Sequence, residues 1–334
     1  METFTANLSM SFSHVTFLLI GFPGVTESRH LLLLPFLLIY TFILTSNGVL
    51  LSRIWLDQTL HSPMHSLIGL LFFVNVSCTT IFMPKFLLGL AFDLNQISLG
   101  GCLVQMWVIY TTVTSESMLM LVIALDRYVA ICRPLRYHSI MTTNVLLWLI
   151  LASLARSMLL MTPIVYLDST VRFCRSNVIE NFLCENMGLL KLACGDISKI
   201  QAIGLIVRMV LTVVDGSLLL ISYLVILHAA LFVSNHGGRK ALNTCSSHIM
   251  VALVIYASSI VSALIYRIGT SASVDVQNLT SALYFLLPAT INPIIYGIRV
   301  KEIRAVYRRH LDGSLRMGSL CGGVTMWDRI KVSR

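Results

Sequence analysis

The side chains able to do chemistry in this sequence are few, and they stand out against long apolar runs. Asp126-Arg127-Tyr128 ends one such run and precedes the basic stretch Arg133-Pro-Leu-Arg136. A carboxylate beside a guanidinium forms a charge-assisted hydrogen bond. Breaking that bond frees the cation for an inserted partner; the plainer use of Arg127 is to snorkel to water at a helix end. Glu116, Arg156, Arg208 and Asp215 stand singly inside apolar runs. Charges there are costly unless paired or wetted, so they should face a protein interior. Structural pairing of Arg156 and Arg208 with Glu116 and Asp215 is the favoured use, ahead of ligand contact. No convergent nucleophile–base set and no clustered metal ligands lie in the apolar runs, so the chain reads as no enzyme.

The elements that must position these groups follow from composition. Of 334 residues, 56% are hydrophobic and only 12% charged, and the mean hydropathy is +0.83. A soluble domain carries about 25% charged residues. The deficit excludes an ordinary cytosolic enzyme, a nucleic-acid-binding domain and a disordered chain. Stretches poor in charge run from His30 to Ser52, Gln58 to Pro84, Leu94 to Leu125, Tyr137 to Leu167, Ile200 to Gly238, Ala241 to Tyr266 and Val276 to Ile298. Each can cross about 30 Å of hydrocarbon as a helix, and none alternates like a membrane β-strand. The expected fold is an all-α membrane protein: a seven-transmembrane helix bundle with a short amphipathic eighth helix. Its parts are an extracellular tail over 1–29, the bundle over 30–298, and the amphipathic helix with a cytoplasmic tail over 299–334.

Basic residues set the orientation. With the N-terminus outside, the inner segments hold fifteen of the 24 Lys and Arg and only five acids. This excess suits anionic lipid on the cytoplasmic leaflet, and no groove-reading or base-stacking motif accompanies it. The first helix is expected to target the chain to the plasma membrane, because no cleavable leader is evident. Asn7-Leu8-Ser9 is a glycosylation acceptor in the outer tail. Cys102, Cys174, Cys184 and Cys194 fall on the outer side, where an even set suggests two disulfides. Four cysteines allow three pairings, and spacing does not choose among them.

One further motif joins Asp126-Arg127-Tyr128. Asn292-Pro293-Ile-Ile-Tyr296 stands near the end of span seven, and Ile123 to Tyr137 forms one continuous segment around the acidic–basic pair. Together they resemble the signatures of rhodopsin-like G-protein-coupled receptors. Leu60-His-Ser-Pro-Met64, Pro84-Lys85, Lys240 to His248 and Pro288 to Gly297 resemble the vertebrate olfactory receptor pattern. Phe22-Pro23-Gly24 and the Cys174/Cys184/Cys194 loop are similar to its class I, fish-like branch. The resemblance runs from about residue 17 to residue 310.

That resemblance implies that the chain binds a small odorant in the outer half of the bundle. It further implies activation of a heterotrimeric, olfactory-type stimulatory G protein that raises cyclic AMP. Arg127, Tyr223 and Tyr296 would rearrange as span six swings outward, with Tyr128, Lys240, Thr244 and His248 at the G-protein-facing end. His248 serves equally well as a structural histidine. Pro288 and Pro293 should bend span seven, with Asn292 supplying polar partners to the freed backbone. The disulfides implied are Cys102–Cys184 and Cys174–Cys194, forming a lid. A sodium pocket is implied between Glu116 and position 75, but Asn75 stands where the family usually has Asp, which weakens it. No other cofactor is implied, and span seven has no Lys for a retinal Schiff base.

The ligand set implied is Ile109, Tyr110, Val113 and Thr114 on span three, and Tyr256, Ala263 and Arg267 on span six. Arg is suited to bidentate carboxylate binding, so Arg267 is the candidate anchor for a carboxylic acid or another polar, water-soluble odorant. Arg267 serves otherwise by snorkelling to lipid phosphate or pairing with Asp275 or Glu185. A transporter would show inverted repeats with paired broken helices, whereas the breaks concentrate in span seven.

Overall fold

The computed structural model describes residues 13–232, 235–268 and 273–300; the side chains of 26–27, 230–232, 235–244, 266–268 and 299 lie outside that description. The elements in order are β1 (Thr16–Leu19), a 3-10 segment Pro23–Leu32, α1 (Leu33–Leu56), α2 (Pro63–Phe92), β2 (Gln96–Ser98), α3 (Leu99–Cys132), α4 (Tyr137–Ile140), α5 (Thr143–Ser169), β3 (Val178–Ile179), α6 (Asn186–Leu190), α7 (Ser198–Phe232), α8 (Asn235–Ile268) and α9 (Val274–Arg299). Seven of the helices are long and apolar enough to cross a membrane; they are α1, α2, α3, α5, α7, α8 and α9. The amphipathic helix expected after residue 299 lies outside the described residues.

Several helices extend past the charge-free stretches. α3 continues through Asp126, Arg127 and Tyr128 to Cys132, and α1 carries Arg53 in its last turn. Charges at the end of a span suit the headgroup region. The helix itself continues, because its backbone bonds are internal and persist in the headgroup region. Starts are set by local chemistry: Ser62, Ser98, Thr142 and Ser273 each accept a backbone N–H of the following turn, which satisfies a donor that the helix cannot. Asp93 closes α2 with φ 56°, a left-handed residue that Asp tolerates better than most.

The bundle sorts its side chains by solvent. Exposed Leu, Ile, Val and Phe line the outward faces of the spans, while Asn47, Asn75, Glu116, Asp126, Asp215 and Asn292 are buried between them. In a bilayer, apolar side chains satisfy the lipid face and polar ones must find partners inside. One apolar core cluster, around Phe72, Met120, Tyr223 and Tyr296, fills the end where α3 and α9 finish. A second, around Phe36, Phe82, Phe86 and Phe182, fills the opposite half.

That second half is capped by a small sheet that hydropathy did not anticipate. β1 pairs antiparallel with β2 (Phe17 opposite Ile97) and parallel with β3 (Leu18 opposite Val178). Disulfides join Cys102 to Cys184 and Cys174 to Cys194, with Cα–Cα distances of 5.4 Å and 5.8 Å. Phe17, Phe173, Cys102 and Cys184 lie in one buried cluster beneath the sheet, so the loop between α5 and α7 is a packed lid.

Candidate functional site

Below the lid, α3, α5, α7, α8 and α9 enclose a cavity of about 190 Å³. Tyr110, Val113, Thr114 and Ser117 line it from α3. Gln201, Leu205, Arg208, Leu211, Thr212 and Asp215 line it from α7. Both sets follow three- and four-residue steps, the period of one helix face. Ile255, Tyr256, Ser259 and Ala263 contribute from α8, Tyr284 and Phe285 from α9, and Met161 and Ile164 from α5. Mostly apolar walls with a few polar points suit a small organic molecule.

The lid is hydrogen-bonded to this cavity's helices. Cys184 N donates to Gln105 Oε1 at 2.9 Å, and Asn186 N donates to the Tyr110 hydroxyl at 3.0 Å. Asn186 Nδ2 donates to both Asp168 oxygens at 2.8 Å. Glu185, another lining residue, accepts from Asn181 Nδ2 at 2.8 Å and from Ser281 Oγ at 3.2 Å.

Of the seven residues expected around a ligand, Tyr110, Val113, Thr114, Tyr256 and Ala263 line this cavity. Ile109 is not in the lining: it is fully buried in the Phe82–Phe182 cluster, one helical position away from Tyr110. Arg267 belongs to the last turn of α8, and its side chain lies outside the described residues. The lid and a wall from span five, which is α7, were expected without their lining residues being named; the α5 and α9 walls were not. On α7 the stripe from Gln201 to Asp215 was legible as a polar helical period. Nothing local marks Met161, Tyr284 or Asn186.

A polar network forms the cavity floor. Arg156 on α5 meets Asp215 on α7 through both oxygens, at 2.7 Å and 3.1 Å. Ser117 on α3 donates to Asp215 Oδ2 at 3.2 Å. The Ser117 hydroxyl thereby uses its proton, so the Tyr256 phenol on α8, 2.8 Å away, donates to Ser117. Four helices are thus tied by one chain of contacts. The expected pairing holds for Arg156 with Asp215 and fails for the other two charges. Glu116 accepts from Asn292 Nδ2 at 3.4 Å. Arg208 donates to the Ser259 carbonyl at 3.2 Å and lies 5.5 Å from the Tyr284 ring centroid. Both Asp215 oxygens accept from Arg156.

At the opposite end, Asp126 pairs with Arg127 and accepts from the Tyr137 hydroxyl at 2.7 Å. Burial, and next the Asp126 carboxylate, push the Tyr137 phenol well above its ordinary range, so it remains a donor to that carboxylate. Buried His248 Nδ1 lies 3.0 Å from the Tyr296 hydroxyl, joining α8 to α9. Tyr223 is buried in the same cluster as Tyr296, with its hydroxyl unpartnered. Tyr128 lies on the exposed face of α3. Lys240 and Thr244 fall in α8, with side chains outside the described residues.

Along α9 the polar roles differ from expectation. Pro293 has no N–H to give the Ala289 carbonyl four residues earlier. That carbonyl accepts instead from Asn47 Nδ2 on α1, at 2.9 Å. Asn292 supplies nothing there; its Nδ2 turns to Glu116, and its Oδ1 is buried without a partner. Asn47 Oδ1 also accepts from Asn75 Nδ2 at 3.0 Å. Asn75, Cys78 and Glu116 border a second cavity of about 20 Å³, next to Pro288 and Ala289.

Comparison with known proteins agrees with this architecture. The olfactory receptor family model matches residues 36–313. Human olfactory receptor 52K2 is 36% identical over 89% of this chain and 95% of its own length. Human olfactory receptor 52B6 is 38% identical over 90% of this chain and 88% of its own. Mouse olfactory receptor 51E2 is 34% identical over 93% and 98%. Seven spanning helices, a lidded cavity between them, and these matches along nearly the whole length lead to one assignment: the chain belongs to the olfactory receptor family, as a multi-pass G-protein-coupled receptor of the plasma membrane in the class I branch.

Proposed function

We propose that a small odorant occupies the lidded cavity and that its binding is passed to α8 through the floor network, activating a stimulatory G protein and raising cyclic AMP. In this reading the lid end and Asn7 are extracellular. The observation that carries it is the contact between cavity and network: Ser117, Asp215 and Tyr256 line the cavity and also bond one another. A ligand pressing on Tyr256 acts on the bond that holds α8 to α3. Differential contact of this kind is what a ligand needs to shift an existing two-state equilibrium.

The far end has matching parts. Arg127 is held by Asp126 beside α4, and α8 is latched to α9 by His248 and Tyr296. Movement of α8 that opens this end would uncover Arg127 for the G protein. The test is nucleotide exchange on a purified stimulatory G protein, with the receptor in nanodiscs and an odorant panel of acids, amines, alcohols and amino acids. Odorant-stimulated exchange, with matching cyclic AMP in cells, is the expected result; exchange on no G protein at any odorant would overturn the reading.

A sodium ion beside Glu116 belongs to the same proposal. Glu116 supplies one carboxylate, and the buried, unpartnered Asn292 Oδ1 offers a neutral oxygen, the donor set a hard cation takes. Asn75 adds no charge, and its Nδ2 is engaged by Asn47. The ion would tie α3 to α9 and favour the resting state. Sodium should therefore lower basal signalling weakly in the wild type. Glu116→Gln should move the sodium midpoint upward by at least about tenfold; an unchanged titration would remove sodium from the scheme.

A further inference from the structure

We propose that odorants enter and leave the cavity sideways, from the outer leaflet of the membrane, through a notch between α5 and α7 at Gly204. This rests on the cavity being the odorant site and on the lid end facing outward, and it names the phase that supplies the ligand.

The route from water is closed by packing. Phe17, Cys102, Phe173 and Cys184 beneath the sheet are fully buried, and the Cys102–Cys184 bond fixes the lid to the first turn of α3. Phe22 packs on Phe36, Phe86 and Phe182 and so fills the mouth beside α1 and α2. At Gly21 the chain lies so close to the lid that a Cβ would stand 2.7 Å from Phe182 Cβ. A ligand arriving from above would have to lift the lid against all of these contacts.

The wall made by α7 is different. None of the described residues from 198 to 214 is buried, whereas the outer half of α5 buries Met161, Ile164, Val165 and Asp168. Successive residues turn about 100° around a helix. Val207 thus lies between exposed Ile203 and Val210 on one side and Gly204 and Leu211 on the other. Gly204, Val207 and Leu211 line the cavity. The lipid-facing surface of α7 therefore runs into the cavity wall with no buried side chain between them. At Gly204, among the described residues, only Asn186 Oδ1 lies within 4 Å of where a Cβ would stand, at 3.8 Å. No α5 atom closes the notch there.

The two flanks of α7 are fastened differently. Toward α8, Arg208 donates to the Ser259 carbonyl at 3.2 Å, and a Cβ at Gly216 would meet the Tyr256 ring at 3.4 Å. Toward α5, Arg156 bonds Asp215 at the floor. Above that pair, no hydrogen bond among the described residues joins α5 to α7. Met161 and Ile164 stand five and eight residues above Arg156, and Leu211 and Val207 four and eight residues above Asp215, so these four apolar side chains face one another at matching heights. Pro163 lies among them and has no N–H for the Leu159 carbonyl, which makes this stretch of α5 easier to bend.

The location suits a solute held in lipid. Gly204 is six residues into α7, about 9 Å along it, which is the depth of the outer leaflet. Each buried CH₂ favours lipid over water by about 0.8 kcal/mol, so the leaflet concentrates small apolar odorants beside the notch. Passing between apolar edges costs such a molecule no further desolvation.

The test places a thiol inside the cavity and asks from which phase it is reached. Receptor in nanodiscs carries Val113→Cys or, separately, Thr114→Cys, both lining the cavity from α3. One probe is a phosphatidylcholine with a maleimide on a short acyl chain, which stays in the bilayer. The other is a sulfonated, membrane-impermeant maleimide in water. Peptide mass mapping follows alkylation at the new thiol, apart from native Cys78, Cys132 and Cys245. The lipid-borne probe should react and the water-borne one should lag by at least about tenfold. Gly204→Leu should slow the lipid-borne probe by at least about tenfold, and Val207→Ala should speed it by about threefold or more.

A lipid-borne probe that leaves both thiols unmodified would overturn the inference, and that comparison survives even if Gly204→Leu fails to fold. So would an unchanged lipid-borne rate in Gly204→Leu. A water-borne probe that reacts as fast as the lipid-borne one, and faster still in Cys174→Ser, would place the entrance at the lid instead. Alkylation requires neither an agonist nor a G protein. Failure of odorants to drive nucleotide exchange would overturn the receptor reading and leave these rates as they are.

Discussion

Arg156→Leu should leave little receptor at the cell surface. It removes both Arg156 bonds from the side chain of Asp215, which is only 3% exposed, and leaves its carboxylate between α3, α5 and α7 with the Ser117 hydroxyl alone. Breaking a buried pair by removing one partner costs about 3–5 kcal/mol, a large share of the 5–15 kcal/mol typical of folded proteins. Asp215→Asn should cost less, because Arg156 is 29% exposed and its long stem can carry the charge toward polar surroundings. Substituting both by Leu should recover part of the loss, since no charge then remains unpaired. Surface immunolabelling and the detergent unfolding midpoint check the order: Arg156→Leu worst, Asp215→Asn intermediate, the double variant better than Arg156→Leu. Equal, mild effects for all three would mean that water reaches this network freely.

Ordering matters beyond stability. The pair orients Asp215 to accept from Ser117, and Ser117 in turn receives the Tyr256 proton. Any Asp215→Asn receptor that reaches the surface should show altered basal cyclic AMP, because the α3–α8 link has lost its anionic anchor. An apolar pair of the same volume would fold without transmitting. The contact to α8 is what the ionic pair supplies and an apolar pair would not.

The second large effect belongs to the lid. Cys102→Ser opens a loop of 82 residues in sequence separation, and in the chain-entropy description a cross-link of that span is worth about 4.5 kcal/mol. The bond lies where the first turn of α3 meets the lid, beside the Cys184 N to Gln105 contact. Without it the lid residues Asn186 and Glu185 lose their fixed height over the cavity. Cys102→Ser should therefore abolish both surface display and odorant response. Cys174→Ser opens a separation of 20 residues, worth about 3 kcal/mol, and should leave a detectable receptor. Non-reducing peptide mapping with surface labelling settles the comparison; equal display of the two variants would contradict it.

Hydropathy alone was enough for seven spans, because lipid demands about 20 consecutive apolar residues for each crossing. The motifs from Asp126 to Tyr128 and from Asn292 to Tyr296 carried the family for the same local reason: they are contiguous. The helical stripe from Tyr110 to Ser117 was partly legible, since a period along one element is a one-dimensional property. The sheet was not. Its strands have four, three and two residues and meet across some 160 positions of chain, too short for any pattern to accumulate.

The same limit governs the charges. Sequence determined that Glu116, Arg156, Arg208 and Asp215 lie inside the membrane and must be answered there. It did not determine which answers which, because a pairing depends on where four separate helices bring their side chains within about 3 Å. Tertiary structure decided that Arg156 satisfies Asp215, that Asn292 turns to Glu116, that Asn47 takes the carbonyl freed by Pro293, and that Arg208 faces the cavity with most of its donors unspent. Composition names the solvent along each helix; only packing assigns the partners, since partners are chosen by distance in three dimensions and by which acceptor is filled first.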